Sequence, residues 1–242
     1  MSKVLVTGGG SGIGLAITEA LLAEGCQVVI CGRNMEKLES ARQRLNSDGL
    51  FTMQWDVRDV SIIKEKINEA ACLCGGYLDG FVNNAGIYYP RKSWGKWDEA
   101  EDSETWDAVM ETNFKAPVFM MREAAMYMNA NHIRGNVLNI ASMVATFDTN
   151  SAYSAGKLAL VRMMRGLAKQ VGHLGIIING ISPGIVFSEI NPKRAEIPQA
   201  QIGRMIEPEE IADIALFLMS DAAKLIMGDS LLADGGFSHA HW

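Results

Sequence analysis

Cysteine and proline are scarce in this chain, with four of one and six of the other among 242 residues. Four thiols cannot form the dense framework of a small secreted scaffold. A chain of this length also needs no staples, because one core can bury roughly 70–75% of its unfolded surface. Cys26, Cys31, Cys72 and Cys74 therefore read as reduced, mostly buried thiols. Cys72-Leu-Cys74 has no second pair and no nearby His, so no metal site is expected. Basic surplus is missing too: 22 Lys and Arg face 28 Asp and Glu, a net charge of −6. That balance argues against a general affinity for nucleic acid or an anionic membrane. No apolar run reaches the ~18 residues that would cross a bilayer. Strand-like sequence begins by Lys3-Val4-Leu5, which leaves no room for a signal peptide. A cytoplasmic protein is expected, with neither nucleic acid nor membrane as partner.

Repeats, low-complexity tracts and composition breaks are absent as well, so residues 1–242 read as one domain. Short, continuously apolar runs (Val4-Leu5-Val6, Val28-Val29-Ile30, Phe81-Val82, Val137-Leu138-Asn139-Ile140, Ile176-Ile177-Ile178) suit parallel strands covered on both faces. Between them lie helical stripes such as Leu38, Ala41, Leu45 and Leu160, Met164, Leu167, Val171. Ile63, Ile67, Ala70 and Cys74 form a further stripe. Asn34 is placed to cap one helix, and Pro208 with Glu209 and Glu210 to open another. Strand–helix alternation throughout implies an α/β fold: a single Rossmann-type, doubly wound parallel sheet of about seven strands, with helices on both faces.

Thr7-Gly8-Gly9-Gly10-Ser11-Gly12-Ile13-Gly14 joins the first strand to the first helix. Glycines there let a ligand approach the backbone, and the helix start offers unpaired N–H groups to a pyrophosphate. The spacing is Gly8-x-x-x-Gly12-x-Gly14 rather than GxGxxG, so the cluster's position directly after strand one carries the nucleotide reading. At the end of the second strand, Cys31-Gly32-Arg33-Asn34 offers no acid for a ribose 2′-OH and places Arg33 21 residues beyond Gly12. A guanidinium pairs with a 2′-phosphate, so NADP(H) is the preferred cofactor, with NAD(H) the other candidate.

Tyr153 and Lys157 stand four residues apart on a predicted helix and share a face. A phenol near pKa 10 is a poor base at pH 7, and lowering it three units takes roughly 4 kcal/mol. A neighbouring ammonium and an oxidised nicotinamide are candidates to supply this. Ser142 follows Asn139-Ile140-Ala141, at the carboxyl end of a predicted strand where such sheets place their ligands.

With these motifs in order, the chain resembles the classical short-chain dehydrogenase/reductase family over almost its whole length. The resemblance is carried by the Thr7–Gly14 turn, Asp56-Val57, Asn83-Asn84-Ala85-Gly86, Asn113, Ser142, Tyr153-Ser154-Ala155-Gly156-Lys157, Pro183-Gly184 with Ser188, and Ala233-Asp234-Gly235-Gly236. It implies an NAD(P)-dependent oxidoreductase acting on CH-OH donors. In that reading Tyr153 is the general acid/base, Lys157 tunes it and holds the nicotinamide ribose, and Ser142 orients the substrate oxygen. Asn113 kinks its helix and holds water in a proton relay with Lys157. The cofactor would lie along Gly8, Ser11, Gly12, Ile13, Gly14, Arg33, Asn34, Asp56, Val57, Asn83, Asn84, Ala85 and Gly86. It would continue past Tyr153 and Lys157 to Pro183, Gly184, Val186 and Ser188. Asp56 would face the adenine, and Ser188, standing where Thr is usual, would face the carboxamide. The family also implies a homo-oligomer, a tetramer or a dimer.

Two departures from the pattern are plain: Ser142 and Tyr153 are only 11 residues apart, and Ala145 replaces a common Gly. Residues 144–150 must therefore connect tightly, and the substrate lid over 185–207 is short. The long loop over 87–103 carries Tyr88, Tyr89, Trp94 and Trp97 among Arg91, Lys92 and Lys96. Aromatic faces there suit a ring-bearing or hydrophobic substrate. The leading expectation is an NADP(H)-dependent interconversion of a secondary alcohol and a ketone. A 3-oxoacyl thioester is the alternative substrate class, polyols remain open, and a non-catalytic cofactor sensor or scaffold is the other class of function. Met120, Met121, Met126 and Met128 read as core or oligomer packing, and His239 and His241 as a loose tail rather than a chelate.

Overall fold

A computed structural model describes residues 2–88, 102–146, 151–188 and 195–239. Seven strands form one sheet: β1 (Lys3–Thr7), β2 (Gln27–Gly32), β3 (Leu50–Gln54), β4 (Gly80–Asn83), β5 (Gly135–Ile140), β6 (Ile176–Pro183) and β7 (Ser230–Ala233). Their order is β3-β2-β1-β4-β5-β6-β7 and every pair is parallel. Chain direction across the sheet reverses between β1 and β4, the switch point outside whose carboxyl ends such sheets bind ligands.

Alternation across the pleat fills both faces. Val4, Val6, Val28 and Ile30 pack with Ile17, Leu21, Leu38 and Ile211, which lie on α1 (Gly12–Ala23), α2 (Met35–Leu45) and α7 (Pro208–Met219). Leu5, Val29 and Phe81 point the other way, toward α3 (Ile63–Leu73), α5 (Ala116–Ala130) and α6 (Ala152–Val171). Met120, Met121 and Met128 belong to this second core, whereas Met126 is exposed. Three buried asparagines tie the central strands together. Asn83 Nδ2 donates to Asn139 Oδ1 at 2.8 Å, and Asn139 Nδ2 to the Asn179 carbonyl at 3.2 Å.

Helix ends follow the sequence signals. Asn34 caps α2, its side chain accepting the Lys37 N–H at 3.1 Å. Pro208 opens α7, where the Glu210 carboxylate accepts the Glu207 N–H and meets both terminal nitrogens of Arg204 at 2.8 Å. Between α4 (Ser103–Met110) and α5 the helix widens into a π turn, Glu111–Lys115. Pro117 has no N–H to return to Asn113, which favours the shift of register there. Much of the 87–103 loop lies outside the described residues, as do parts of the 144–150 and 185–207 segments and His241. No helix among the described residues is long and apolar enough to cross a membrane.

Candidate active site

A cleft of about 560 Å³ opens along the carboxyl ends of the strands. Its floor at one end is the β1–α1 turn, where Gly8 and Gly12 adopt φ of +66° and +52°. A Cβ on Gly14 would run into the Gly8 carbonyl and the Asn84 side chain, so the turn closes this tightly only with glycine there. Asn84 holds the turn against β4: its Nδ2 donates to the Thr7 and Gly8 carbonyls at 3.0 and 3.1 Å. The Asn84 and Ala85 N–H groups both reach Thr7 Oγ1 at 3.0 Å. Gly14→Ala is expected to break this clamp, lowering stability by about 1–3 kcal/mol and raising the Kd for an NAD(P) dinucleotide at least tenfold. Thermal melting and a nucleotide fluorescence titration would check the two effects.

Of the residues singled out for the cofactor, Gly8, Ser11, Gly12, Ile13, Arg33, Asn34, Asp56, Val57, Asn84, Ala85 and Gly86 line this cleft. Tyr153, Lys157, Pro183, Gly184, Val186 and Ser188 line it as well. Gly14 and Asn83 do not: one supports the turn from beneath, the other is committed to the buried asparagine chain. Asp56 is gripped by Arg58, with Oδ2 at 2.6 Å from Nη2, and this bond holds its carboxyl below the usual range. Lys37, Trp55 and Thr112 also line the cleft and were not anticipated. Lys37 carried a legible signal, since it follows Arg33 by four residues and lies in the first turn of α2.

At the other end, β5 and α6 bring three functional groups together. Ser142 ends the run after β5, and its hydroxyl faces the Tyr153 phenol closely enough to pull its pKa down. Just beyond Ser142 the chain turns back, with the Ala145 N–H on the Ser142 carbonyl at 3.0 Å. Lys157 is 4% exposed and its Nζ donates to the Ile140 carbonyl at 2.7 Å. The ammonium lies over the Tyr153 ring, 5.7 Å from its centroid.

Electrostatically the pair departs from the expectation of a phenol lowered by its lysine. Burial pushes the Tyr153 phenol up, the Ser142 hydrogen bond pulls it down, and the Tyr88 phenol adds a further upward push. Burial likewise pushes Lys157 down to about 8. Desolvation governs Lys157, whose Nζ faces the ring and the Ile140 carbonyl.

Asn113 lies in the π turn, fully buried. Its amide bonds Ile87 in both directions, accepting the Ile87 N–H at 2.9 Å and donating to the Ile87 carbonyl at 2.7 Å. The side chain thus braces the turn after β4, with Oδ1 beside Gly86.

Residues 2–198 match the model of the short chain dehydrogenase family. The 2-(S)-hydroxypropyl-CoM dehydrogenase 3 of Xanthobacter autotrophicus is 31% identical, the match covering 97% of this chain and 96% of that one. An NAD-dependent glycerol dehydrogenase of Listeria innocua is 32% identical over 97% and 92% of the two chains. A crystal structure of a short chain dehydrogenase from Bacillus anthracis superposes with a TM-score of 0.86 at 29% identity, covering 98% and 96%. With a glycine-floored cleft at the switch point and a serine, tyrosine and lysine gathered at its far end, the chain belongs to the short-chain dehydrogenase family of oxidoreductases, on an NAD(P)-binding Rossmann fold.

Proposed function

We propose that the protein is an NADP(H)-dependent oxidoreductase that interconverts a secondary alcohol and a ketone, with a ring-bearing or hydrophobic substrate preferred. The observation that carries this reading is the meeting of the Ser142 and Tyr153 hydroxyls beside a buried Lys157 in one cleft. The glycine turn fits a dinucleotide, because a Cβ at Gly14 would fill the space that shapes it. Nicotinamide C4, when the cofactor is bound, gives or takes the hydride.

Everything else falls to the chain's own groups. Ser142 holds the substrate oxygen by a hydrogen bond. Tyr153 Oη gives its proton to that oxygen as the ketone is reduced and takes it back as the alcohol is oxidised. Lys157 Nζ, anchored on the Ile140 carbonyl, would bond the ribose. Arg33 and Lys37 form a basic end to the cleft, suited to a 2′-phosphate.

The test follows absorbance with NADPH and NADH against 1-tetralone, cyclohexanone, an acetoacetyl thioester, dihydroxyacetone and erythrulose. The expected result is NADPH-linked reduction of the ring ketones. Arg33→Ala is then expected to raise the KM for NADPH about tenfold or more while leaving that for NADH unchanged, the loss of one charge-assisted contact. A strong NADH preference in the native protein overturns the cofactor assignment. The name of the Listeria relative favours a second reading, a polyol substrate, and reduction of dihydroxyacetone or erythrulose alone would select it.

A further inference from the structure

Tyr88 follows directly on Ile87, whose N–H and carbonyl are both held by the buried Asn113 amide. The backbone that carries Tyr88 is therefore pinned from two directions by a side chain with no exposed surface. The Tyr88 ring meets the Tyr153 ring edge to face, with centroids 5.2 Å apart and planes at 74°. That geometry sets the positive edge of one ring against the negative face of another.

Among the described residues, two further groups act on Tyr153 from other directions. Ser142, from the end of β5, acts on the phenol oxygen. Lys157, on the same helix as Tyr153, lies over the ring at 5.7 Å from its centroid. Proton transfer depends on placing the phenol oxygen to within a fraction of an ångström.

We propose that Tyr88 is a positioning residue for Tyr153: aimed by the Asn113–Ile87 clamp, its ring holds the Tyr153 phenol toward Ser142. The inference deepens the proposed function, and its kinetic consequence rests on Tyr153 as the proton-transferring group. Tyr88 itself needs no contact with the cofactor or the substrate. The ring carries the effect, so phenylalanine should preserve it and an aliphatic side chain should not.

Protein labelled with 3-fluorotyrosine reports the ring directly. The chain has five tyrosines, and the fluorine signal missing from Tyr153→Phe identifies Tyr153. In the native chain and in Tyr88→Phe that signal is expected to stay resolved, as from a held ring; in Tyr88→Leu it is expected to collapse to one averaged line. Tyr88→Gln serves as the ring-free variant if Tyr88→Leu does not fold. In parallel, NADPH oxidation with 1-tetralone and dihydroxyacetone should show kcat down about tenfold in the ring-free variant. The KM for NADPH should stay within about twofold, and Tyr88→Phe should keep nearly native kcat. An unchanged Tyr153 signal without the Tyr88 ring overturns the proposal, whatever the kinetics. Full activity of Tyr153→Phe would instead overturn the acid/base reading and leave the fluorine result to decide the positioning.

Discussion

Tyr153→Phe is expected to lower kcat for ketone reduction by about three orders of magnitude, within the range for losing a positioned acid/base, while NADPH affinity stays within about twofold. Phenylalanine keeps the ring, which packs edge to face with Tyr88 and lies beneath Lys157. It removes only the oxygen that faces Ser142, so a collapse of the site is not the cause of any loss. Stopped absorbance assays with the ketone panel, paired with nucleotide titration, separate turnover from binding. A cofactor sensor on the same fold would be indifferent to this change. In the native protein the two directions should also diverge with pH. Burial raises the Tyr153 phenol, so its neutral, proton-donating form persists through neutrality and supports ketone reduction. Alcohol oxidation needs the phenolate and should climb as pH rises toward the elevated value, the opposite slope to reduction. Retained turnover in Tyr153→Phe, or parallel pH slopes, would remove Tyr153 from the chemistry.

Much of this arrangement was legible in the residues, for identifiable reasons. β1, β2, β4, β5 and β6 are covered on both faces and so read as unbroken apolar runs. The two edge strands were less visible. Leu50–Gln54 includes Thr52 and Gln54, and Ser230–Ala233 leaves Leu232 exposed, because an edge strand has less to bury. The Tyr153/Lys157 spacing placed both side chains on one helix face, and Ser142 at the end of a strand placed it opposite them. What the sequence could not give was environment. That Lys157 would point its amine at the Ile140 carbonyl, and so leave the phenol raised instead of lowered, depends on where β5 passes beneath α6. The π turn was equally hidden, since Pro117 four residues beyond Asn113 marks a disturbed helix without saying which way it yields. Tyr88 stood out as an aromatic in a loop, but only the Asn113–Ile87 clamp turned it toward Tyr153.

Lys157→Met should remove turnover and yet make the cofactor-free protein more stable at neutral pH. The amine is 4% exposed and burial holds its pKa at about 8, against 10.5 for an unhindered lysine. That difference corresponds to about 3 kcal/mol of differential interaction between its two protonation states. Both folded and unfolded chains carry the ammonium at pH 7, so there the native state bears the whole cost of a buried cation. Between pH 8 and 10.5 the unfolded chain keeps a proton that the native protein has released, and this group's contribution to stability rises with pH across that window. Methionine fills the same channel without charge. It also leaves the Ile140 carbonyl without its 2.7 Å donor, a loss of about 1–2 kcal/mol. The net gain at pH 7 is on the order of 1–2 kcal/mol, a rise in Tm of about 2–8 °C for a domain of this size. Denaturant titrations of both proteins at pH 7 and pH 10 provide the check, with the variant ahead at pH 7 and the gap narrowing as the native lysine loses its proton. A variant less stable than the native protein at pH 7 would show that the bond to Ile140 outweighs the desolvation. Saturating NADPH should reduce or reverse the order, because binding stabilises in proportion to affinity and only the native chain keeps the ammonium that is proposed to bond the ribose. The lysine is then a feature retained against stability, as groups placed for chemistry often are.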